Sequence, residues 1–179
     1  MRNTLFIYVV LLAFNAFCQD CHLPSGSGVS ADAARYGINV SYDQSNATLA
    51  SAVDNATAQW NNCSGNVPNL NKNSPASNRP TVLVTLVQGS PPDRYFAVFD
   101  TTYKCITLFT NDFEGDSLLT SLPEILAHEL GHALGLADVT SSNCLMGPGI
   151  PSNGVEPTDC SGVQGVWQSV YQSPPTCPP

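Results

Sequence analysis

Two histidines and a glutamate in one short segment have the spacing of a metal site with a catalytic base. His128 and His132 are four residues apart. On an α-helix this spacing places both imidazoles on one face, one turn apart, where they can bind the same metal ion. Glu129 directly follows the first histidine, and from there its carboxylate can reach a water molecule on the metal without being a ligand itself. The segment therefore predicts two metal ligands and a general base.

A third ligand has to come from beyond the end of this helix. On a continuous helix Asp138 would lie about 15 Å along the axis from His128, which is too far to share a metal. Gly135 offers a break, because glycine tolerates the left-handed conformation that ends helices. Apart from the pair, the chain has one histidine, His22 near the amino terminus, and the only later glutamate is Glu156 in a Val-Glu-Pro loop. We therefore predict Asp138 as the third ligand and rank it above His22 and Glu156.

Patterns of apolar residues place this segment in a chain of mixed strands and helices. Alternating or continuous apolar runs indicate strands, and apolar residues three and four apart indicate helices. The predicted strands are 38–42, 81–87, 95–99 and 105–110, the last two as a hairpin, and the predicted helices lie within 48–61, 118–136 and 160–171. Residues 19–35 and 64–80 are polar and are predicted to be loops. The chain thus predicts an α+β fold with a twisted mixed sheet of about four to five strands, two long helices and a C-terminal helix.

The predicted start of the metal helix is Ser121. Glu124 follows three residues later, which is the spacing of a capping box, and Pro123 lies early, where a helix tolerates it.

The amino terminus has the pattern of a secretory signal peptide. Arg2 precedes an uncharged stretch, residues 5–17, that is shorter than the roughly 20 residues of a membrane span. A cut after Cys18 would have small residues at the two positions that signal cleavage requires. We therefore predict that residues 1–18 are a signal peptide rather than an uncleaved anchor, and that residues 19–179 form a single domain of a secreted, extracellular protein.

Cysteines and glycosylation sequons agree with export. Cleavage after Cys18 would leave six cysteines, and an even number in an exported chain predicts three disulfides. These cysteines are Cys21, Cys63, Cys105, Cys144, Cys160 and Cys177. Four asparagines begin Asn-X-Ser/Thr sequons and are candidate glycosylation sites. They are Asn39, Asn46, Asn55 and Asn62.

The charge balance bears on the partners of the protein. The chain has 6 Lys and Arg residues against 14 Asp and Glu residues, a net charge of −8, and we find no basic patch. This excludes nucleic acid as an expected partner, since such partners are bound by clustered positive charge. We expect a monomer that is not attached to a membrane.

The motif and its surroundings resemble the metzincin zinc metalloproteases. Residues 128–136 read His-Glu-Leu-Gly-His-Ala-Leu-Gly-Leu, which is similar to the matrixin active-site helix. Met146 follows in an Asn-Cys-Leu-Met turn that looks like the Met-turn of the family, and the helix after Asp159 looks like the matrixin closing helix. The order of strands and helices also matches the family's catalytic domain almost end to end. Asp138 stands where most metzincins have a third histidine, as in snapalysin-type bacterial proteases.

The resemblance implies a secreted zinc-dependent endopeptidase that cleaves proteins or peptides. One zinc ion would be held by His128, His132 and Asp138, and Glu129 would act as general base towards a zinc-bound water. Met146 would lie under the metal as packing. The alternative is a secreted zinc-binding glycoprotein, or an inactive homologue, without catalysis. The intact Glu129 favours the enzyme.

Four further expectations concern the surroundings of the site. Cys144 and Cys160 bracket the segment after the Met-turn, and we expect them to be bonded to each other. Strand 105–110 is the expected edge along which a substrate lies extended. Cys21 could cap the zinc as a thiolate, although a disulfide is the preferred prediction. An acidic loop could bind calcium, although a solvated loop is preferred. Its residues are Asp112, Glu114 and Asp116.

Overall fold

The computed structural model describes residues 23–24, 32–87, 96–109, 117–141, 144–149 and 153–172, and for 23–24, 117–120 and 169–172 it describes the backbone alone. In chain order the elements are β1 (Leu23–Pro24), α1 (Asp32–Tyr36), β2 (Ile38–Ser41), α2 (Ala47–Asn61), β3 (Leu70–Lys72), β4 (Thr81–Val87), β5 (Ala97–Asp100), β6 (Cys105–Phe109), α3 (Ser117–Ala133), β7 (Leu136–Ala137) and α4 (Pro157–Gln172). The predicted signal peptide, Cys21, His22, the acidic loop and Cys177 lie outside the described residues.

Five strands form a mixed sheet, which confirms the predicted α+β class. The strand order is β3-β2-β4-β6-β5, and all neighbours are parallel except the antiparallel pair of β5 and β6. The predicted hairpin is therefore present. Strand β3 lies within the predicted loop 64–80, and it escaped prediction because three residues are too few to show a period of two.

The predicted substrate edge is wrong, because β6 lies inside the sheet. It pairs with β4 on one side and with β5 on the other, and its Ile106 and Leu108 are fully buried. The edge strand on this side is β5. Alternation of residues identifies a hairpin, but it does not say which of the two strands joins the rest of the sheet.

The helices α2 and α3 pack together over the sheet. Helix α2 begins where the Asn46 side chain accepts a hydrogen bond from the Leu49 amide, and it buries an apolar face that ends at Trp60. Helix α3 begins at Ser117 rather than at the predicted cap, so Ser121 and Pro123 lie within it. The capping pattern is local, and the good helix formers Leu118 and Leu119 before it extend the helix by a turn.

A disulfide and a pair of two-residue strands connect elements on either side of α3 in the sequence. Cys63, just after α2, is bonded to Cys160 in α4. Short strand β1 pairs antiparallel with β7, which follows α3 after two residues. Strand β1 and all of α1 except Tyr36 lie within the predicted loop 19–35. Among the described residues, no helix is both long and apolar enough to cross a membrane.

Candidate metal centre

The two histidines of α3 both present their Nε2 atoms to one pocket. The Nδ1 atom of His128 lies 2.7 Å from the Leu145 carbonyl oxygen, and that of His132 lies 2.9 Å from the Leu136 carbonyl oxygen. A carbonyl can only accept, so in each ring Nδ1 carries a proton, and a neutral ring then keeps its lone pair on Nε2. Metal-binding histidines are held in this way, with the second ring nitrogen donating to a backbone carbonyl or carboxylate.

Asp138 brings a carboxylate oxygen to the same point. Its Oδ1 atom lies 3.3 Å from Nε2 of His128 and 3.4 Å from Nε2 of His132. Burial lowers the pKa of His128, with partial compensation by the Leu145 carbonyl, so this ring is neutral at pH 7. At such distances a cation between the two ring nitrogens and the carboxylate oxygen would be attracted by all three atoms.

The spacing of these three atoms fits a metal ion. The ligand atoms of His128, His132 and Asp138 all lie within 4.8 Å of one another, so the group could hold a metal. In a tetrahedral zinc site, ligand bonds of roughly 2.1 Å put neighbouring ligand atoms about 3.4 Å apart. Two imidazoles and one carboxylate are also a donor set that zinc accepts, with a position left for water.

A sharp turn after α3 brings Asp138 back to the histidines. Gly135 has φ of +97°, and its amide donates to the His132 carbonyl at 3.0 Å. This is the break that the sequence predicted, at the glycine that tolerates it. Just after Asp138, the Val139 amide donates to the Met146 carbonyl at 2.9 Å. The candidate third ligand is therefore anchored by main-chain bonds on both sides, although its side chain is 72% exposed.

Glu129 is buried beside the three candidate ligands. Its side chain lines the same pocket, and the residue is only 6% exposed. Burial, and then the negative charge of Asp138, raise the pKa of Glu129 to about 8, while a hydrogen bond from the Phe99 amide works in the opposite direction. A cation held by the neighbouring ligands would favour the carboxylate form.

The pocket is an open cleft of about 560 Å³ between α3, β5 and the segment after Met146. Apolar side chains and glycines surround the polar group, and the described lining residues include no Lys or Arg. The lining residues are Phe96, Ala97, Val98, Phe99, Ile125, His128, Glu129, His132, Asp138, Val139, Gly147, Pro148 and Gly149.

Met146 packs against the turn of α3 between the two histidines. It is fully buried, and a Cβ atom on Gly131 would come within 2.5 Å of its Sδ atom. The residue acts as packing against the helix turn between the two ligands. The neighbouring Leu145 supplies the carbonyl that holds His128.

The cysteine pairing differs from the prediction. Cys160 is bonded to Cys63, so the expected pair of Cys144 and Cys160 is wrong. Cys144 is also in a disulfide, whereas Cys105 is a free thiol, which contradicts its predicted place in a disulfide. Helix α4 lies against the segment just after α2, where the Gln164 side chain donates to the Ser64 carbonyl, and sequence spacing carries no record of that contact.

The four sequons differ in their surroundings. Asn39 is 2% exposed, and its side chain bonds to the Thr81 hydroxyl and the Ser74 amide, so a glycan does not fit there in the folded protein. Asn46 caps α2. Asn55 and Asn62 are exposed.

Sequence reasoning missed the backbone groups that complete the site. Phe99, Leu145 and Leu136 contribute an amide or a carbonyl, so their side-chain types carry no signal for these roles. No protein-family model matches this chain, and a search of curated proteins finds no match either.

Proposed function

We propose that this protein is a secreted zinc-dependent endopeptidase of the metzincin type. The observation that carries the proposal is the convergence of Nε2 of His128, Nε2 of His132 and Oδ1 of Asp138 beside the buried carboxyl of Glu129. Three ligands and an adjacent proton acceptor in an open cleft are the parts of a catalytic rather than a structural metal site, because a structural site closes its fourth position with another side chain. No other His, Cys, Asp or Glu completes this group among the described residues.

The resemblance to metzincins is supported by the surroundings of the ligands. Met146 packs beneath the turn that carries both histidines. Its carbonyl accepts a hydrogen bond from the amide of Val139, the residue after the third proposed ligand. The order of sheet, metal helix, methionine turn and final helix agrees with the family pattern.

Zinc held by His128, His132 and Asp138 would supply Lewis acidity, which activates water and polarises a peptide carbonyl. Glu129 is placed to accept the proton of the attacking water and then to donate it to the leaving amine. Without metal its pKa is raised to about 8, and a bound cation would shift the balance towards the carboxylate that accepts the proton. The Phe99 amide orients the carboxyl group by its hydrogen bond.

The substrate would be an extended peptide segment paired with β5. This strand is the edge of the sheet and its residues line the cleft. The Phe99 amide of this strand is bonded to Glu129, and the other amide and carbonyl groups of a sheet edge can pair with a further strand. Binding by the main chain in an open cleft favours cleavage within a chain rather than at its end.

The test is proteolysis by the protein purified from the medium of a secreting host. Cleavage of denatured casein is measured with and without 1,10-phenanthroline, and zinc content is measured in parallel. The variant Glu129→Ala removes the proposed base, while Asp54→Asn changes an exposed carboxylate on α2 that is paired with Lys72, far along the chain from the site. We expect the chelator and Glu129→Ala to abolish cleavage and Asp54→Asn to retain it.

Two other results would contradict the proposal. One bound zinc per chain without cleavage of any protein substrate favours a zinc-binding glycoprotein or an inactive homologue. Cleavage that survives Glu129→Ala would exclude this residue as the base. Amino-terminal sequencing of the same secreted protein tests export, with Gln19 as the expected first residue.

A further inference from the structure

Both tryptophans of the chain donate hydrogen bonds to the backbone of the metal helix α3 or of the residue that directly follows it. Nε1 of Trp60 lies 2.9 Å from the Ala127 carbonyl oxygen, and Nε1 of Trp167 lies 2.7 Å from the Leu134 carbonyl oxygen. The chain contains no other tryptophan. Trp60 is 0% exposed and Trp167 is 3% exposed, so water does not compete for either hydrogen bond.

The two acceptors bracket the histidine pair. Ala127 directly precedes His128, and Leu134 follows His132 by two residues. Residues seven apart lie on the same side of a helix, because seven residues make almost two turns at 3.6 residues per turn. Two anchors on one side, one before and one after the ligands, fix both the rotation and the tilt of the helix segment that carries them.

Each of the two hydrogen bonds is directional, which apolar packing is not. The Ala127 carbonyl lies in the interior of α3, so the indole is a directional contact from outside the helix. The Leu134 carbonyl lies just past the helix end, where carbonyl groups have lost their helical partners. A hydrogen bond from an indole N–H restricts the distance and the direction of the carbonyl group that it contacts, whereas apolar contact tolerates small rotations of the helix.

The anchors come from two helices that are joined covalently. Trp60 ends the buried face of α2 and Trp167 lies in α4, and the disulfide between Cys63 and Cys160 connects these helices. The ring of Trp60 also lies under the ligand turn, since its Cζ2 atom would be 3.4 Å from a Cβ atom on Gly131. The two tryptophans that contact the metal helix therefore belong to parts of the chain that a disulfide joins.

We propose that Trp60 and Trp167 are positioning residues whose indole N–H bonds hold His128 and His132 in their metal-binding orientation before any metal is bound. This inference rests on the proposed function, because it presumes that the two histidines bind zinc. It assigns the tryptophans no contact with the metal or the substrate.

The test measures zinc affinity in Trp60→Phe and Trp167→Phe, by competition with a chromophoric chelator. The absorption spectrum of the cobalt-substituted protein reports ligand geometry in the same variants. We expect the zinc dissociation constant to rise about tenfold in each, the lower end of the effect of outer-sphere partners, together with a changed cobalt spectrum. We also expect kcat to fall while KM stays near that of the wild type.

Thr57→Val is the matched control. Thr57 lies one turn before Trp60 in α2, and its buried hydroxyl donates to the Val53 carbonyl at 2.6 Å. The variant loses a buried hydrogen bond whose donor and acceptor both lie in α2, so we expect unchanged zinc affinity. If Trp60→Phe does not fold, benzothienylalanine at position 60 keeps the ring size and exchanges the N–H for sulfur.

The outcomes separate this inference from the proposed function. Wild-type protein that binds no zinc overturns both. Wild-type protein that binds zinc, with the folded tryptophan variants binding it equally tightly and with the same cobalt spectrum, overturns the positioning role alone. An affinity loss of equal size in Thr57→Val also overturns it, because general destabilisation would then be the cause.

Discussion

The Sδ atom of Met146 occupies the space that a side chain on Gly131 would need. A Cβ atom at Gly131 would lie 2.5 Å from that sulfur and 3.4 Å from the Trp60 ring. Gly131 lies between the two histidines in the interior of α3, where alanine would otherwise be favoured by about 1 kcal/mol. The position is therefore set by packing beneath the ligands rather than by helix propensity.

The first prediction is that Gly131→Ala destabilises the protein. We expect the free energy of unfolding to fall by about 1–3 kcal/mol, because overpacking a fully buried contact costs more than helix propensity returns. Denaturant unfolding measures it. Gly165→Ala in α4 is the control, since a Cβ atom there meets nothing within 4 Å, and we expect a gain of up to about 1 kcal/mol. An equal gain in unfolding free energy in Gly131→Ala and Gly165→Ala would contradict the packing argument.

The second prediction concerns the pH dependence of stability in the metal-free protein. The pKa of Glu129 is raised from 4.5 to about 8 in the folded protein, so the folded state holds this proton more tightly than the unfolded state. The resulting stabilisation is complete below pH 4.5 and is lost as pH rises towards 8. We expect wild-type protein in EDTA to lose on the order of a few kcal/mol of unfolding free energy across this window, relative to Glu129→Gln.

Denaturant unfolding at a series of pH values measures this difference. The titration of His128 is present in both proteins, so it largely cancels in the comparison. Glu156→Gln, at an exposed glutamate, should follow the wild-type slope. Parallel curves for wild type and Glu129→Gln would contradict the raised pKa.

The third prediction is that Asp138→His keeps zinc and moves the acidic limb of the pH–activity profile downwards. An anionic ligand weakens the Lewis acidity of zinc, and the charge of Asp138 also helps to raise the pKa of Glu129. Replacing it with a neutral imidazole removes both effects, so we expect a shift of about one pH unit. The profile of kcat/KM measures it. Asp138→Ala should instead lose zinc affinity, and an unmoved limb in Asp138→His would refute the electrostatic argument.

The fourth prediction is that the disulfide between Cys63 and Cys160 is a major source of stability. It closes a loop with a sequence separation of 97 residues, and removing such a cross-link typically costs about 2–5 kcal/mol. We expect a loss of this size in the Cys63→Ser/Cys160→Ser double variant by thermal or denaturant unfolding. Cys105→Ser, at the free thiol, should change stability little. A similar loss in both would show that cysteine replacement itself is responsible.

Local patterns in the sequence determined the elements and the chemical groups of the site. The four-residue spacing of His128 and His132 required one helical face, and the glycine at position 135 marked the turn that returns Asp138 to them. Alternation located four strands of the sheet to within two or three residues. Such features repeat with the periods of helix and strand, so neighbouring residues are sufficient to reveal them.

Only the tertiary structure decided which distant groups meet. It placed β5 rather than β6 at the edge, joined Cys63 to Cys160, and brought the Phe99 amide to Glu129. The bonds from Trp60 and Trp167 to α3 belong to the same class. These contacts depend on strand order, helix packing and backbone groups that every residue possesses, and a one-dimensional pattern of side chains does not encode them.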